Sequence, residues 1–173
     1  MPAARKENVP FPDKRHDHHR CLDDALDRAA AICTERGARL TPLRRRVLEL
    51  VWASHRPVGA YDILETLRQE RTGAAPPTVY RALEFLQELG LVHRIASRNA
   101  FVGCAEPDRP HLVQFLICRG CGQAAEISDE RIEDAILDSA KRAGFAVQFP
   151  TIEVEGLCSH CRIGDGRASE RAP

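Results

Sequence analysis

Two Cys-x-x-Cys pairs, Cys118/Cys121 and Cys158/Cys161, constrain this chain more than any other feature of its sequence. Two thiolates two residues apart in a tight turn can bind one zinc ion, and two such pairs complete a closed tetrahedron. The pairs are separated by 36 residues, an interval longer than in common zinc fingers. We therefore predict a structural zinc that joins the two ends of a subdomain. A redox role for either pair is the alternative, but the βαβ context of redox pairs is missing.

The composition is that of an ordinary globular protein, with 43% hydrophobic and 29% charged residues in 173. That length suffices for one large domain or two small ones. No apolar run approaches the ~18 residues of a membrane span, and the first 20 residues lack the apolar stretch of a secretory signal. These features predict a cytoplasmic protein without a membrane segment. In that compartment the seven cysteines are not expected to form a disulfide framework.

The formal net charge of zero conceals an asymmetry between the two halves. Residues 1–103 carry 17 Lys/Arg and 13 Asp/Glu, a balance of +4, whereas residues 104–173 carry 8 and 12, a balance of −4. Such an asymmetry suggests that the halves have different partners.

The N-terminal half reads as short helices followed by a β-hairpin. After a polar tail (residues 1–21), apolar spacing predicts helices from Leu22, from Thr41-Pro42, over 60–71 and over 77–89. Two short apolar runs, 91–95 and 100–102, then predict the hairpin. This order is typical of a winged helix-turn-helix, which we predict over residues 22–103. A generic helical domain with a hairpin is the alternative.

A turn-rich connector, residues 104–111, precedes a small α/β domain over residues 112–163. Strands are predicted over 112–117 and 124–127, and a helix over 129–143 with Ser128 as its N-cap. A further strand is predicted to begin at Phe145 and continue to Val154, and residues 164–173 to form a frayed tail. The predicted fold class is therefore α+β.

A second group of metal-binding residue types spans the connector: His93, Cys104, His111 and Glu126. Two imidazoles, a thiolate and a carboxylate form a plausible tetrahedral set for a borderline-soft ion such as Zn²⁺. Each residue also has an ordinary explanation, such as a buried cysteine or a solvated carboxylate.

The chain resembles the ferric uptake regulator superfamily, in particular its zinc uptake regulator branch. The resemblance covers residues 22–163, and the segments that carry it are Arg39-Leu-Thr-Pro-Leu-Arg, Ala60-Tyr-Asp-Ile-Leu, Pro76-Pro-Thr-Val-Tyr-Arg-Ala-Leu, Leu89-Gly-Leu-Val-His, Cys118-Arg-Gly-Cys-Gly and Gly156-Leu-Cys-Ser-His-Cys.

The resemblance implies two zinc ions per subunit and a C-terminal dimerisation domain. The structural ion maps onto the four cysteines of the two pairs, and the regulatory ion onto His93, Cys104, His111 and Glu126. Iron and peroxide sensors of the superfamily carry a histidine-rich stretch before the first cysteine pair, whereas this chain has His111 alone there. Cys104 also favours zinc over Fe²⁺, because thiolate is a soft ligand.

For double-stranded operator DNA, Arg81 is the first choice for base reading, since arginine can bond guanine in a bidentate fashion. Tyr80 and Thr78 also lie away from the apolar face of the predicted fourth helix. The arginines expected to contact phosphates are Arg39, Arg44, Arg45 and Arg46. The resemblance further suggests that Glu65 and Arg68 link neighbouring dimers, with one or two homodimers per operator.

The sequence thus predicts a zinc-dependent repressor of zinc uptake genes, in which zinc closes the dimer onto DNA, and no enzyme activity. Catalytic zinc keeps an open position, whereas both predicted sites have four protein ligands. The alternatives are an iron- or other metal-responsive regulator, a zinc hydrolase, and a zinc buffer without DNA activity.

Overall fold

The computed structural model describes residues 11, 18–70, 74–108, 112–148 and 150–165. These residues fall into two compact units. The first holds the described residues from 18 to 108, and the second holds Phe11 and the described residues from 112 onward. No helix in these ranges is long and apolar enough to cross a membrane.

Four helices form most of the first unit: α1 (His18–Glu35), α2 (Pro42–Val51), α3 (Ala60–Gln69) and α4 (Pro76–Glu88). Helix α2 begins as predicted, because the Thr41 side chain accepts the Arg44 amide at 3.4 Å and Pro42 occupies the first turn. Helix α1 begins four residues before the predicted Leu22. Its first turn is polar, so apolar periodicity could not reveal it.

A three-stranded antiparallel sheet completes this unit, with strand order β1 (Val58–Gly59), β3 (Ala100–Gly103), β2 (Val92–Ile95). The predicted hairpin is β2–β3, in which Val92 lies opposite Gly103. Its connection is a short 3₁₀ turn that ends at Asn99 with φ of 47°, a left-handed conformation that asparagine tolerates. The two residues of β1 are too few for an alternating pattern, and the sequence did not predict this strand.

The core of the first unit lies between the helices and the sheet. The predicted apolar face of α4 is buried: Val79, Ala82, Leu83 and Leu86 are at most 3% exposed. They pack in one cluster with buried residues of the other helices, which include Leu26, Val47, Leu48, Ile63 and Leu67. The opposite face of α4 is thereby left for another partner.

The second unit contains β4 (Val113–Cys118), β5 (Ala124–Ile127), α5 (Glu130–Arg142), β6 (Thr151–Gly156) and α6 (Ser159–Asp165). The strand order is β5-β4-β6, with β4 antiparallel to β5 and parallel to β6. Because β4 and β6 are parallel, their C-terminal ends lie at the same end of the sheet, where Cys118 is opposite Gly156.

The helix predicted over 129–143 is one residue longer at each end than α5. Asp129, not Ser128, is the N-cap, and its carboxylate accepts the Arg131 amide at 3.0 Å. The strand predicted from Phe145 is wrong over 145–148, which are irregular, and β6 begins at Thr151. Gly144 has φ of 66°, and the Phe145 amide donates back to Ala140 O at 2.8 Å. Phe145 therefore closes the end of the helix instead of starting a strand.

The predicted C-terminal tail is helical at its start. Helix α6 runs through Gly164 to Asp165, where the sequence predicted a frayed end. Short helices of two turns carry too little periodicity to be detected. The remaining tail residues, 166–173, and most of the predicted N-terminal tail lie outside the described residues.

Candidate metal centres

The four cysteines of the two pairs lie close together at the C-terminal ends of the neighbouring strands β4 and β6. Cys118 ends β4, Cys121 lies in the following turn, Cys158 follows β6, and Cys161 lies in the first turn of α6. Their sulfur atoms all lie within 4.8 Å of one another. Two segments 36 residues apart in sequence thus form one cluster, because the parallel pairing of their strands aligns their ends.

Backbone geometry brings the two cysteine turns into contact. The first turn is closed by the Gly122 amide, which donates to Cys118 O at 2.9 Å, and Gly122 itself has φ of 75°. A Cβ atom at Gly120 would lie 2.9 Å from both Cβ and Sγ of Cys161. Only glycine allows this approach without displacing the Cys161 side chain. The Arg119 amide donates to Gly156 O at 2.8 Å and joins the two turns directly.

The sulfur positions match the geometry of a tetrahedral zinc–thiolate site. With Zn–S bonds of ~2.3 Å, the sulfurs of a regular tetrahedron are ~3.8 Å apart. The Sγ atoms of Cys121 and Cys158 are 3.9 Å apart. Four sulfur donors in this arrangement suit a closed zinc site and leave no ligand position for a substrate.

The thiols have strongly perturbed acidities. Burial raises the pKa of Cys118, but hydrogen bonds outweigh it, chiefly from the Cys158 and Cys121 amides, and lower the pKa to about 6. Hydrogen bonding to the Cys118 and Cys158 sulfurs, together with burial, raises the pKa of Cys161 to about 12. Burial also raises the pKa of Cys121. The Cys118 thiolate thus forms readily, and an added positive charge would be needed to stabilise the thiolates of Cys121 and Cys161.

A second pair of metal-binding side chains lies in the first unit. His93 is a half-buried residue of β2, and Cys104, 3% exposed, follows β3. A ring nitrogen of His93 lies within 4.8 Å of the Cys104 sulfur. The Cys104 amide donates to Leu91 O at 3.0 Å and extends the ladder between the strands. The hairpin register therefore places two of the four predicted regulatory ligands side by side.

The other two predicted regulatory ligands belong to the second unit or lie outside the described residues. Glu126 is half-buried on β5, opposite Phe115 of β4. His111 falls in the gap between residues 108 and 112. The structure therefore supports the His93–Cys104 pair, while the complete four-residue set stays a prediction.

The predicted DNA-reading residues lie exposed at the start of α4. Thr78, Tyr80 and Arg81 are in its first two turns, and Tyr80 is 40% exposed. The helix begins with Pro76-Pro77, which sets the backbone of the first turn. Exposed side chains at a helix N-terminus suit contact with base edges. Tyr61, 70% exposed in the first turn of α3, is a further candidate. Tyr61 is not among the predicted DNA-contacting residues, although it lies inside a segment that carries the resemblance.

The arginines near α2 have distinct environments. Arg39 and Arg45 are exposed, and Arg45 pairs with Glu49 at 3.3 Å. Arg44 is half-buried: its guanidinium lies 3.4 Å from the centroid of the Phe85 ring in α4 and donates to Arg39 O at 2.7 Å. Sequence spacing could not reveal that aromatic partner.

Arg46 is held by two carboxylates. It donates to Glu70 Oε2 at 3.0 Å and to Glu49 Oε2 at 2.8 Å. Hydrogen bonding to Glu70, and secondly to Glu49, raises the pKa of Arg46, and the same bond lowers the pKa of Glu70. Arg46 therefore already has anionic partners. Glu65 and Arg68, predicted to link dimers, are exposed on α3 and line a shallow depression with Tyr61.

One family model and several known proteins match most of this chain. The model of the ferric uptake regulator family matches residues 35–155. The zinc uptake regulation protein of Escherichia coli (strain K12) is 42% identical over 139 residues, which cover 80% of this chain and 81% of that protein. The zinc uptake regulation protein of Mycobacterium tuberculosis (strain ATCC 25618 / H37Rv) is 31% identical over 129 residues, 73% of this chain and 96% of that protein.

Two solved structures are similar over most of their length. A zinc uptake regulator complexed with zinc and DNA matches with a TM-score of 0.79 and 40% identity, and the match covers 84% of this chain and 97% of that one. The crystal structure of holo XcZur matches with a TM-score of 0.76 and 43% identity over 82% of this chain and 99% of that one. The α+β fold predicted from the sequence, with an N-terminal helical DNA-binding domain and a C-terminal α/β domain, is confirmed.

Proposed function

Because the chain belongs to the ferric uptake regulator family, we propose that it is a zinc-dependent transcriptional repressor of zinc uptake genes. Relatives at 42% and 31% identity are zinc uptake regulation proteins, and a structural neighbour binds zinc and DNA. The observation that carries the proposal is the His93–Cys104 pair, whose donor atoms lie within 4.8 Å. It places a soft metal-binding pair in the same unit as the exposed start of α4.

The four-cysteine cluster is proposed to hold the first zinc ion, as a structural staple. The chain supplies a complete tetrahedral donor set, and Gly120 lets the second turn approach the first. Cys118 presents a thiolate most readily, since its pKa is about 6. Bound there, the ion supplies positive charge that stabilises the remaining thiolates and fixes the ends of β4 and β6.

The second ion is proposed to bind His93, Cys104, His111 and Glu126, giving two zinc ions per subunit. The thiolate donor of Cys104 suits zinc better than Fe²⁺, because it is a soft ligand. His93 and Cys104 precede or begin the connector, whereas His111 and Glu126 end or follow it. Side chains from both units that share one ion hold those units at one fixed angle.

We propose that fixing the angle between the two units switches DNA binding on. Two winged helices of a dimer must present their reading helices at the half-site spacing that DNA demands. When all four ligands are engaged, the DNA-competent arrangement is favoured. A ~100-fold preference for that arrangement corresponds to about 2.7 kcal/mol.

On the DNA side, Arg81 is proposed to bond guanine, and Tyr80, Thr78 and Tyr61 are proposed as further DNA contacts. All four side chains are exposed and extend from the first two turns of α3 or α4. Arg39 and Arg45 are proposed to contact phosphates, which makes binding salt-dependent. A protein that binds operator DNA works where that DNA is, in the cytoplasm.

A homodimer is proposed through the second unit. Helix α5 buries none of its side chains within its own subunit, and Phe145 is 68% exposed. Further uncovered apolar residues of this unit are Ile132, Ile136, Leu137 and Val154. Several exposed apolar side chains in one small unit suggest a protein interface. Glu65 and Arg68 are proposed to join two dimers on one operator.

The test begins by selecting a DNA duplex from a random-sequence pool with zinc-loaded protein. Binding of this selected duplex is then measured by fluorescence anisotropy against buffered free Zn²⁺. Wild type should bind only when zinc is available. His93→Ala and Cys104→Ser should stay folded and dimeric but lose the zinc response, whereas Cys118→Ser should lose structure. Zinc binding with no enriched duplex would instead indicate a zinc buffer, and a response to Fe²⁺ alone would indicate an iron regulator.

A further inference from the structure

The residue before the ligand Cys104 has no room for a side chain. A Cβ atom at Gly103 would lie 2.6 Å from Cζ2 of Trp52, and closer still to its Cε2 and Nε1. Real Cβ atoms do not approach other atoms so closely, and an indole ring is rigid. The indole thus occupies the space where any other residue at 103 would project. Gly103 is the last residue of β3 and has an ordinary backbone conformation, so its turn geometry does not explain this glycine.

Trp52 is itself firmly placed. It is the C-cap of α2, and its amide donates to Leu48 O at 3.0 Å. The half-buried ring packs against the core of the first unit. Because α2 is anchored by fully buried residues, Trp52 is a fixed surface against which the end of β3 rests.

The backbone around Cys104 is held from two further sides. The Cys104 amide donates to Leu91 O at 3.0 Å, and Arg28 of α1 donates to Ala105 O at 3.0 Å. Contacts from Leu91 just before β2, from α1 and from the end of α2 therefore converge on three consecutive residues, 103–105. All these groups belong to the same unit.

We propose that Trp52 is a positioning residue for the second zinc site, acting through its contact with Gly103 to hold Cys104 beside His93. This inference rests on the function proposed above. A ligand held in place before the ion arrives loses little freedom on binding, so the affinity for zinc is higher. Groups that orient metal ligands typically change metal affinity 10–100-fold when they are removed.

The contact predicts that Gly103→Ala weakens zinc binding only when Trp52 is present, which a double-mutant cycle can test. Gly103→Ala alone forces the indole away, and it should weaken zinc binding at the second site about tenfold or more. Trp52→Ala alone should also weaken it, since Cys104 loses its support. In the Trp52→Ala background the added methyl meets no ring, so Gly103→Ala should cost nothing further. It should even be slightly stabilising, because alanine restricts the unfolded chain.

The experiment uses full-length protein that carries only the structural zinc, titrated with Zn²⁺ against a chelator of known affinity. Urea unfolding is followed by circular dichroism on every sample. Tryptophan emission is recorded on the variants that keep Trp52, the only tryptophan of the chain. Gly103→Ala should shift the emission to longer wavelength as the ring becomes more exposed. Leu50→Ala, a half-buried site on the same helix, is the matched control. It should unfold at lower urea but keep wild-type zinc affinity.

Equal zinc affinity of Gly103→Ala and wild type would overturn the proposal, as would unchanged emission of that variant. So would additive losses in the double variant, or a loss in Leu50→Ala as large as that in Trp52→Ala. Failure of wild type to bind a second zinc would refute the proposed function instead. The emission and unfolding measurements would then still test the contact between Trp52 and Gly103.

Discussion

Replacing Arg44 with alanine should destabilise the first unit, although the sequence suggests only a phosphate contact. The guanidinium lies 3.4 Å from the Phe85 centroid and donates to Arg39 O at 2.7 Å. It therefore joins α2 to α4, the helix that presents Arg81 and Tyr80. Arg45, the next residue, is exposed, and the carboxylate with which it pairs, Glu49, lies in the same helix.

The expected magnitude follows from these contacts. A half-buried cation–π contact contributes about 1 kcal/mol. The hydrogen bond to a carbonyl at the surface adds about 0.5 kcal/mol. Arg44→Ala should thus lower the free energy of unfolding by about 1.5 kcal/mol. Arg45→Ala removes one exposed i,i+4 pair and should lower it by no more than about 0.5 kcal/mol.

Urea unfolding monitored by Trp52 emission measures this difference, because Trp52 lies in the same unit as Arg44. Salt dependence of binding to the selected duplex provides the complementary measurement. Arg45→Ala should reduce the slope of log affinity against log salt by about one, as expected for one lost phosphate contact. If Arg44→Ala unfolded at the same urea concentration as wild type, or if Arg45→Ala were the more destabilised variant, the reasoning from the stacked geometry would be refuted.

Three further predictions concern the metal and DNA sites. Gly120→Ala should weaken structural zinc binding at least tenfold, since its methyl would displace Cys161. Zinc-to-protein ratios by mass spectrometry under native conditions would show this, and full retention would contradict it. Zinc binding at this cluster should tighten by at least about 100-fold per pH unit near pH 7, because the two raised-pKa thiols, Cys121 and Cys161, both release protons on binding. Chelator competition from pH 6.5 to 8 measures this dependence, and a slope under tenfold would count against it. Arg81→Ala should cost about 1–3 kcal/mol in binding to the selected duplex and relax base preference at one position; a uniform loss across all sequences would instead indicate a phosphate contact.

The sequence predicted the parts of the fold that depend on local periodicity and caps. The apolar face of α4 and the Thr41-Pro42 start of α2 follow from spacing and from capping chemistry, and both are confirmed. Strand β1 and the irregular path after Phe145 were missed. Strand β1 exists through pairing with β3, which is distant in sequence, and the residues after Gly144 do not form the predicted strand because Phe145 closes the helix end.

The candidate sites were predictable to the extent that residue type alone reveals chemistry. The two-residue spacing within each cysteine pair predicts a metal site, and the four sulfurs lie close together in the structure. The contacts of Arg44 with Phe85 and of Trp52 with Gly103 join residues 41 and 51 positions apart. Neither pair has a distinctive spacing, because the packing of α2 against α4 and β3 creates both contacts.

The central claim is that zinc at the second site and operator DNA stabilise the same arrangement of the protein. Linkage then requires that DNA tighten zinc binding by the same factor by which zinc tightens DNA binding. The decisive measurement is the affinity of wild type for the second zinc ion, by chelator competition, with and without saturating selected duplex. We predict a gain of about 100-fold when DNA is present. Identical zinc affinities in the two conditions would contradict the account.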